Sequence, residues 1–249
     1  MRFHRLLAAL AAGSLLFIVG AQASELKVSA STAVKSVLEQ LGPQFEKTNG
    51  NKVTFSFGPA ATLKEKIDQG AAFDVAILTA PLTDALVKAG KVDATTRATI
   101  ARAGLGVSVR AGAAKPDVST DEGLKRALLN AKSIGYNGVG ASRAASEAML
   151  RKLGIADAIQ PKIKLLGGSA PVAVANGEVE IGLGPVSEIL PIEGAQLAGP
   201  FPSDLQSYLV FSAGVSTESK NQEAATVLIK FLASPAAAPV LKDKGMQPG

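Results

Sequence analysis

Residues 26–38 read LKVSASTAVKSVL, and this pattern predicts a strand that ends in a small polar loop and continues as a helix. The stretch begins with alternating apolar and polar residues, residues 29–32 are small, and apolar residues then recur at helical spacing. The first N–H groups of a helix have no partner inside it, and the helix dipole favours a negative charge beside them. The loop is therefore a candidate anion-binding site. The alternative is that Ser31 or Thr32 only caps the helix.

The same order of strand, polar loop and helix recurs along the rest of the chain. Short strands are predicted at residues 53–57, 73–78, 133–136, 163–166 and 180–184, each followed by small or turn-forming residues. Strands that alternate with helices in this way predict a parallel sheet. Ligands of such sheets bind beyond the carboxyl ends of the strands, where these loops gather.

Two further strands, predicted at residues 104–109 and 205–214, do not fit the alternation and indicate crossings between two lobes. We predict an α/β fold in which each lobe is a mostly parallel sheet flanked by helices, with the two crossover strands as the hinge. The predicted boundaries are residues 1–23 for a signal peptide, 24–104 and 206–249 for lobe 1, and 105–205 for lobe 2. A ligand cleft is expected between the lobes.

The first 23 residues have the three parts of a secretory signal peptide. Arg2, His4 and Arg5 form a basic start, residues 6–20 are apolar, and residues 21–23 form a small-residue cleavage motif. The apolar run is too short for a membrane anchor. We therefore predict export to the periplasm and a mature chain that begins after this motif.

The composition excludes several classes of site from the mature chain. The sequence has no Cys, and His4 is its one histidine, so typical zinc, copper and haem sites and His-dependent nucleophilic systems are not expected. We predict no metal and no cofactor. The net charge of +5 falls to +3 without Arg2 and Arg5. The basic residues are dispersed and aromatics are few, which disfavours nucleic-acid binding, whereas a mild positive excess favours small anions.

The second lobe contributes a glycine-rich loop at residues 137–142, and Arg143 follows it at the start of a predicted helix. A cation there is unfavourable unless an anion binds beside it, and a guanidinium matches two oxygens of a carboxylate. The alternative is an i,i+4 ion pair between Arg143 and Glu147. Ser169 and Gly184 would allow close approach of the backbone to a ligand, although turn geometry explains both equally well.

Five blocks of sequence carry a resemblance to a known family over essentially the whole mature chain. They lie at residues 28–80, 86–97, 151–163, 187–191 and 231–245, and the last three read RKLGIADAIQPKI, SEILP and FLASPAAAPVLKDKG. In order and spacing they resemble the periplasmic solute-binding proteins of ABC transporters, type 2 topology, and within them the molybdate-binding branch. The resemblance implies a two-lobed type 2 fold that grips its ligand between the lobes and closes on loading.

The resemblance also implies where an oxyanion would be held. In the molybdate binders a serine from each of the first two loops donates to the oxyanion, and the matching positions here are Ala33 and Ala60. A late tyrosine of that family falls near Pro185 and is absent. Backbone N–H groups and neighbouring hydroxyls would serve instead. The predicted ligand-binding residues are Ser31, Thr32, Ala33, Ala60, Ala61, Thr62, Thr79, Ser142, Arg143, Ser169 and Gly184.

Three functions stay open at this point. The first is a periplasmic protein that captures a small anion, either a molybdate- or tungstate-like oxyanion or a small carboxylate, for an ABC transporter. The second is an isomerase on the same scaffold, acting on a di- or tricarboxylic acid such as aconitate, with Glu188, Tyr136 or a loop hydroxyl moving the proton. The third is a sensor that reports its ligand to a membrane receptor. The expected partners are the anion and an inner-membrane ABC permease, with no nucleic acid, and the resemblance implies a monomer.

Overall fold

The computed structural model describes residues 24–249, and the signal peptide predicted at residues 1–23 lies outside this range. The described chain alternates strands and helices. The strands are β1 (Glu25–Ser31), β2 (Lys52–Gly58), β3 (Val75–Thr79), β4 (Ala98–Arg110), β5 (Ile134–Asn137), β6 (Ile163–Leu166), β7 (Ile181–Pro185), β8 (Ala195–Pro200), β9 (Tyr208–Val215) and β10 (Met246–Pro248). The α-helices are α1 (Lys35–Asn49), α2 (Ala60–Asp68), α3 (Ala80–Lys88), α4 (Asp121–Asn130), α5 (Ala141–Lys152), α6 (Ala156–Ile159), α7 (Ala170–Ala175), α8 (Val186–Ile189), α9 (Gln222–Leu232) and α10 (Ala238–Asp243).

The strands form a continuous ladder through the molecule in the order β2-β1-β3-β9-β4-β7-β5-β6, with β8 and β10 paired to β4. β1 lies parallel to β2 and β3, and β5 lies parallel to β6 and β7. The antiparallel strands β9 and β4 lie between these two parallel sets. The predicted α/β class, with two mostly parallel parts, is therefore confirmed.

Strand β4 belongs to both halves of the molecule because it changes neighbours along its 13 residues. Its first part pairs with β9 and β10, and its second part pairs with β7 and β8. Residues 103–109 are all buried, which explains why the apolar GLGVSV segment is recognisable from sequence. The strand starts earlier than the predicted 104–109 because residues 98–103 are mostly small or polar and carry little hydrophobic signal.

Two large hydrophobic clusters fill the two halves. The part of β4 up to Ala103 packs in a cluster with β1, α1, β9 and α9. From Leu105 onward, β4 packs in a second cluster with α4, α5, β5 and β7. We therefore propose that the lobes comprise residues 24–104 with 206–249 and residues 105–205, a division that this change of cluster supports.

The second crossing between the halves differs from its prediction. A strand is predicted over residues 205–214, whereas β9 begins at Tyr208 and pairs only with β3 and the first part of β4. The residues before it form a turn that closes on the carbonyl of Pro202 through a 3.0 Å hydrogen bond. The Gln206 side chain then binds Leu105 of β4, accepting from its N–H at 2.8 Å and donating to its carbonyl at 3.0 Å. A side chain thus replaces backbone pairing here, because a proline-containing turn interrupts the strand.

Two helices begin earlier than predicted. The sequence predicts that Thr62 caps a helix here, whereas α2 begins at Ala60 and Thr62 lies inside it. α5 begins at Ala141, two residues before Arg143, because Gly140 adopts a φ of 88° and turns the loop into the helix. Both shifts move a helix N-terminus closer to the strand that precedes it.

The chain ends in α9, a 3₁₀ turn (Pro235–Ala237), α10 and β10, and the last of these is not predicted from sequence. β10 pairs antiparallel with β4, and α9 and α10 pack on the first hydrophobic cluster. No single helix between residues 24 and 249 is long and apolar enough to cross a membrane. Taken together, α9 and the segment Pro235–Asp243 have the length and composition of a membrane span, but they are separated by a bend of 56°.

Candidate functional site

The carboxyl ends of strands from both halves meet at a cleft of about 350 Å³. From the first half, the lining comes from the loop after β1, the start of α2 and the end of β3. From the second half, it comes from the loops after β5 and β6, the end of β7 and α8. Parallel sheets bind ligands at this position, and the sequence pattern predicts a site here.

Most of the predicted ligand-binding residues line this cleft. They are Ser31, Thr32, Ala33, Ala60, Ala61, Thr79, Ser142 and Ser169. Ala33 and Ala60 are the positions at which the resemblance implies serines, and Pro185, where it implies a tyrosine, also lines the cleft. Contact of these residues with a ligand stays a prediction.

Helix N-termini bring backbone donors to the cleft. α2, α3 and α5 begin at its wall, after Pro59, Thr79 and Gly140. None of these residues has a side-chain cap bond to its helix, whereas Thr120, outside the cleft, caps α4 by accepting a 3.0 Å bond from the N–H of Gly123. The first N–H groups of α2, α3 and α5 are therefore available to an anion.

The loop after β1 enters α1 through a single 3₁₀ turn, Thr32–Val34, instead of directly. Ser31 precedes this turn, is 6% exposed and makes no cap bond with its side chain. Val34 occupies the N-cap position of α1, so neither Ser31 nor Thr32 caps that helix. Both hydroxyl-bearing residues lie in the cleft lining instead.

Arg143 does not line the cleft, contrary to its predicted role as an anion contact. Its Nε donates to Glu147 Oε1 at 2.8 Å, which is the i,i+4 pair considered as the alternative. Its Nη1 donates to the carbonyl of Gly138 at 2.6 Å. The guanidinium is therefore engaged by its own helix and loop, and it holds the glycine-rich loop in place.

Two other predicted residues also lie outside the lining. Thr62 is exposed in the first turns of α2, where the earlier start of the helix has carried it past the cleft wall. Gly184 is buried within β7 and pairs with Gly106 of β4, and the residue after it, Pro185, reaches the cleft. Each of these two residues is the direct neighbour of a lining residue, Ala61 or Pro185, because sequence patterns locate the ends of strands and helices poorly.

Several lining residues were not among those predicted. Leu82, Leu209 and Phe211 give the cleft an apolar wall, and Asn137 and the glycines 167–168 extend its polar loops. The loop residues carried a recognisable signal because they follow predicted strands. The residues of the apolar wall could not be recognised as site residues from sequence, because a buried Phe in a strand normally belongs only to the core.

Glu188 is the most informative residue that the predicted set lacks, because it is the one charged residue in the cleft lining formed by residues 24–249. Burial raises the pKa of its carboxyl from 4.5 to about 7, and no hydrogen bond or cation of the described chain offsets this effect. From sequence, Glu188 is expected to stabilise the next helix start, with proton transfer as its alternative role. Its desolvation depends on how α8 docks, which the sequence pattern does not reveal.

The short helix α8 is held against the first half of the molecule. The hydroxyl of Ser187, which is 3% exposed, donates to the carbonyl of Ala33 at 2.9 Å. Val186 packs so close to Gly245 that a Cβ added to this glycine would lie 2.6 Å from Val186 Cγ1. Glu188 is therefore fixed where the two halves meet.

Tyr136, the other residue considered for proton transfer, does not line the cleft. It is 4% exposed and belongs to the second hydrophobic cluster. Burial, together with the charge of Glu147, raises the pKa of its phenol above the ordinary value. Tyr136 is therefore a core residue, and it is poorly suited to act as a base.

A model of the bacterial extracellular solute-binding protein family matches residues 26–247. The molybdate-binding protein ModA of Azotobacter vinelandii is 32% identical over 250 aligned positions, covering 97% of this chain and 96% of that protein. An aconitate isomerase of a Pseudomonas species is 26% identical over 229 positions, covering 90% and 87%. Among solved structures, the periplasmic molybdate-binding protein of Azotobacter vinelandii superposes with a TM-score of 0.77 at 24% identity, covering 90% of this chain and 99% of that one. With this match along nearly its whole length, the chain belongs to the bacterial extracellular solute-binding protein family.

Proposed function

We propose that this protein captures a small anion in its interlobe cleft, in the periplasm, and delivers it to an ABC transporter. Solute-binding proteins bind small ligands for such transporters, and the relatives named above include periplasmic ones. The observation that carries the anion assignment is the set of helix N-termini without side-chain caps at the cleft wall. The signal peptide predicted at residues 1–23 supports the location.

The anion would be held by neutral donors. No Lys or Arg lines the cleft within residues 24–249, so charge is balanced by aligned helix dipoles and not by an ion pair. The hydroxyls of Ser31, Thr79 and Ser169 and the first N–H groups of α2, α3 and α5 are the donors at hand. A ligand held in this way can leave without breaking a strong salt bridge, which suits a protein that must release its cargo.

The ligand class is a small anion rich in oxygen acceptors. A molybdate- or tungstate-like oxyanion is favoured by the ModA relative, and a small carboxylate is favoured by the methyl groups of Ala33 and Ala60 in the lining. A cleft of about 350 Å³ is at the small end of ligand sites, which fits either class.

A thermal-shift panel tests this proposal and separates the two classes. Molybdate, tungstate and sulfate form one arm, and citrate, aconitate and fumarate form the other, with chloride at matched ionic strength as the control. A ligand present at about 100 times its Kd adds about 2.7 kcal/mol to the free energy of unfolding. A shift in either arm identifies the class, and the absence of any shift in both arms would contradict anion capture.

A second candidate function is isomerisation of an unsaturated di- or tricarboxylic acid, and Glu188 is the observation that favours it. A carboxyl with a pKa of about 7 is suited to take a proton at neutral pH and give it back. The carboxylate would remove a proton from one allylic carbon, the double bond would shift, and the same proton would return to the far carbon. The relative described as an aconitate isomerase supports this candidate.

Proton NMR of cis-aconitate and trans-aconitate incubated with the purified protein decides between transport and catalysis. Catalysis predicts that either isomer gives the same final mixture and that Glu188→Gln abolishes the conversion. A pure binding function predicts a thermal shift without conversion. An equal rate of conversion with a heat-inactivated sample would remove the enzyme from consideration.

A further inference from the structure

Glu188 stands apart from the other polar groups of the cleft. The remaining polar side chains of the lining are hydroxyls and an amide, all of which can donate a hydrogen bond to an anion at any pH. An ionised carboxylate can only accept, so it would repel the anion that the helix N-termini attract. A neutral carboxylic acid would instead add one more donor.

No charged group of the described chain is placed to stabilise an ionised Glu188. α8 packs against β4, β7, β8 and the 3₁₀ turn after β1. The charged residues on these elements and β10, or within two residues of them, are Arg97, Arg102 and Arg110 at β4, Lys35 after the 3₁₀ turn, Glu180 before β7, Glu193 before β8 and Lys244 before β10. Arg97 pairs with Asp84. Lys35 pairs with Glu39 and Lys244 with Asp243, and Arg102 and Arg110 lie exposed on β4. None of these residues contributes to the pKa of Glu188, which burial alone has raised.

The position of the carboxyl is fixed by the fold and not by a flexible loop. Ser187, the preceding residue, is anchored to the carbonyl of Ala33, which lies in the 3₁₀ turn after β1. Glu188 and the helix starts of the first half therefore face the same small cleft. An anion bound there lies close to the carboxyl, and the two negative charges cannot both persist without a large repulsion.

We propose that Glu188 contacts the bound anion as a neutral carboxylic acid, so that the cleft takes up close to one proton with each anion captured from alkaline solution. This inference rests on the proposed anion-binding function and adds to it a proton-linked ligand contact. The acid donates its O–H to a ligand oxygen, and the proton comes from the solvent.

The direction of the pH dependence follows from the empty cleft. Glu188 is largely protonated below about pH 7 and ionised above it. A bound anion stabilises the protonated form further, so the Kd for an anion of fixed charge is constant below about pH 7 and rises about tenfold per pH unit above it. A ligand that instead donates a proton of its own to an ionised Glu188 would show no such uptake.

Isothermal titration calorimetry of the mature protein tests the inference. The probes are molybdate and, separately, fumarate, because both remain dianions over the range used, about pH 6 to about pH 8.5. Titrations at about pH 8.5 in two buffers of different ionisation enthalpy give the number of protons taken up. We expect close to one proton per anion for the wild-type protein and a Kd that weakens about fifteenfold between about pH 7 and about pH 8.5.

Two variants carry the control. Glu188→Gln keeps a donor of the same shape but cannot titrate, so it should take up no proton and should bind with a Kd that is constant with pH and close to the wild-type value at low pH. Glu193→Gln removes the same charge from an exposed position outside the cleft lining and should behave as the wild type does. Binding of either probe without proton uptake and with a constant Kd would overturn the inference alone. Failure of the wild-type protein to bind either probe would instead count against the proposed function, and this inference would fall with it.

Discussion

At the scale of single residues, the charge state of Glu188 is coupled to the stability of the protein. Its pKa of about 7 lies above the ordinary value of 4.5, so between these two values the folded state binds more protons than the unfolded state. Stability contributed by the neutral acid is therefore present below about pH 4.5 and is lost as the pH rises to about 7. The loss amounts to up to about 3 kcal/mol, which is a large share of the stability of a typical domain.

We therefore expect Glu188→Gln to stabilise the ligand-free protein increasingly as the pH rises from about 4.5 to about 7, and by a constant amount above that range. Urea denaturation of both proteins at a series of pH values measures the difference. Glu193→Gln should give a difference that does not vary in this way, because Glu193 is exposed. A pH-independent difference for Glu188→Gln would show that the carboxyl is better solvated than the structure indicates.

Ala60 offers a second test with a single side chain. It is the first residue of α2 and lies partly exposed in the cleft lining, so Ala60→Ser adds a hydroxyl donor where an anion would bind. One additional hydrogen bond to a charged ligand is worth about 1.5 kcal/mol, or about tenfold in Kd. We expect tighter molybdate binding by calorimetry, and no change for Thr62→Ser, which lies on the same helix outside the cleft. Unchanged or weaker binding by Ala60→Ser would mean that the ligand does not approach the start of α2.

At the scale of elements, the cleft depends on loops that turn sharply from strand to helix. Gly140 is the clearest case, with a φ of 88° and a ψ of −173°, a conformation that side-chain-bearing residues rarely adopt. A Cβ added there would meet nothing within 4 Å, so any effect of substitution comes from the backbone and not from crowding.

Gly140→Ala should therefore destabilise the protein by about 1–3 kcal/mol and displace the start of α5 from the cleft, which weakens anion binding. Gly168→Ala is the matched control, because Gly168 lines the same cleft, has open space around its Cα and does not adopt a positive φ. Urea denaturation and calorimetry on the two variants separate backbone strain from loss of space. Equal, small effects of both substitutions would mean that the loop tolerates another conformation at low cost.

Some features of these loops could be predicted from the sequence and others could not. The loops after β1, β2, β3, β5 and β6 were recognisable because local patterning alone sets the change from strand to helix. The orientation of Arg143 could not be predicted from sequence. A ligand, Glu147 and the carbonyl of Gly138 were all possible partners of its guanidinium, and only the folded loop shows which of them it binds. The desolvation of Glu188 likewise depends on residues more than 150 positions away, such as Ala33, to which its neighbour Ser187 is bound.

At the scale of the whole molecule, the two halves are joined by β4 and by the irregular crossing before β9. The parallel strands on either side could be predicted from sequence. The turn and the side-chain clamp that stand in place of the first residues of the second crossing strand could not, because an apolar run does not reveal its pairing partners. The clamp is Gln206, which binds the main chain of Leu105 and donates to the carbonyl of Phe201 at 3.3 Å. It lies where β4 passes from the first hydrophobic cluster to the second, so we expect it to restrain movement of one half against the other.

Gln206→Ala should leave both cores intact but loosen this crossing. The N–H of Leu105 loses its partner, whereas its carbonyl keeps the 3.0 Å bond from the N–H of Phe201, so the loss costs about 1–3 kcal/mol. We expect faster hydrogen–deuterium exchange confined to residues 104–106 and 201–207, and weaker anion binding because the arrangement that grips the ligand is less populated. Gln247→Ala is the matched control, since the amide of Gln247 makes only an exposed contact with Tyr208 at 3.3 Å. Faster exchange throughout residues 105–205 would instead assign Gln206 to the stability of the whole second lobe, and its role as a local hinge clamp would be wrong.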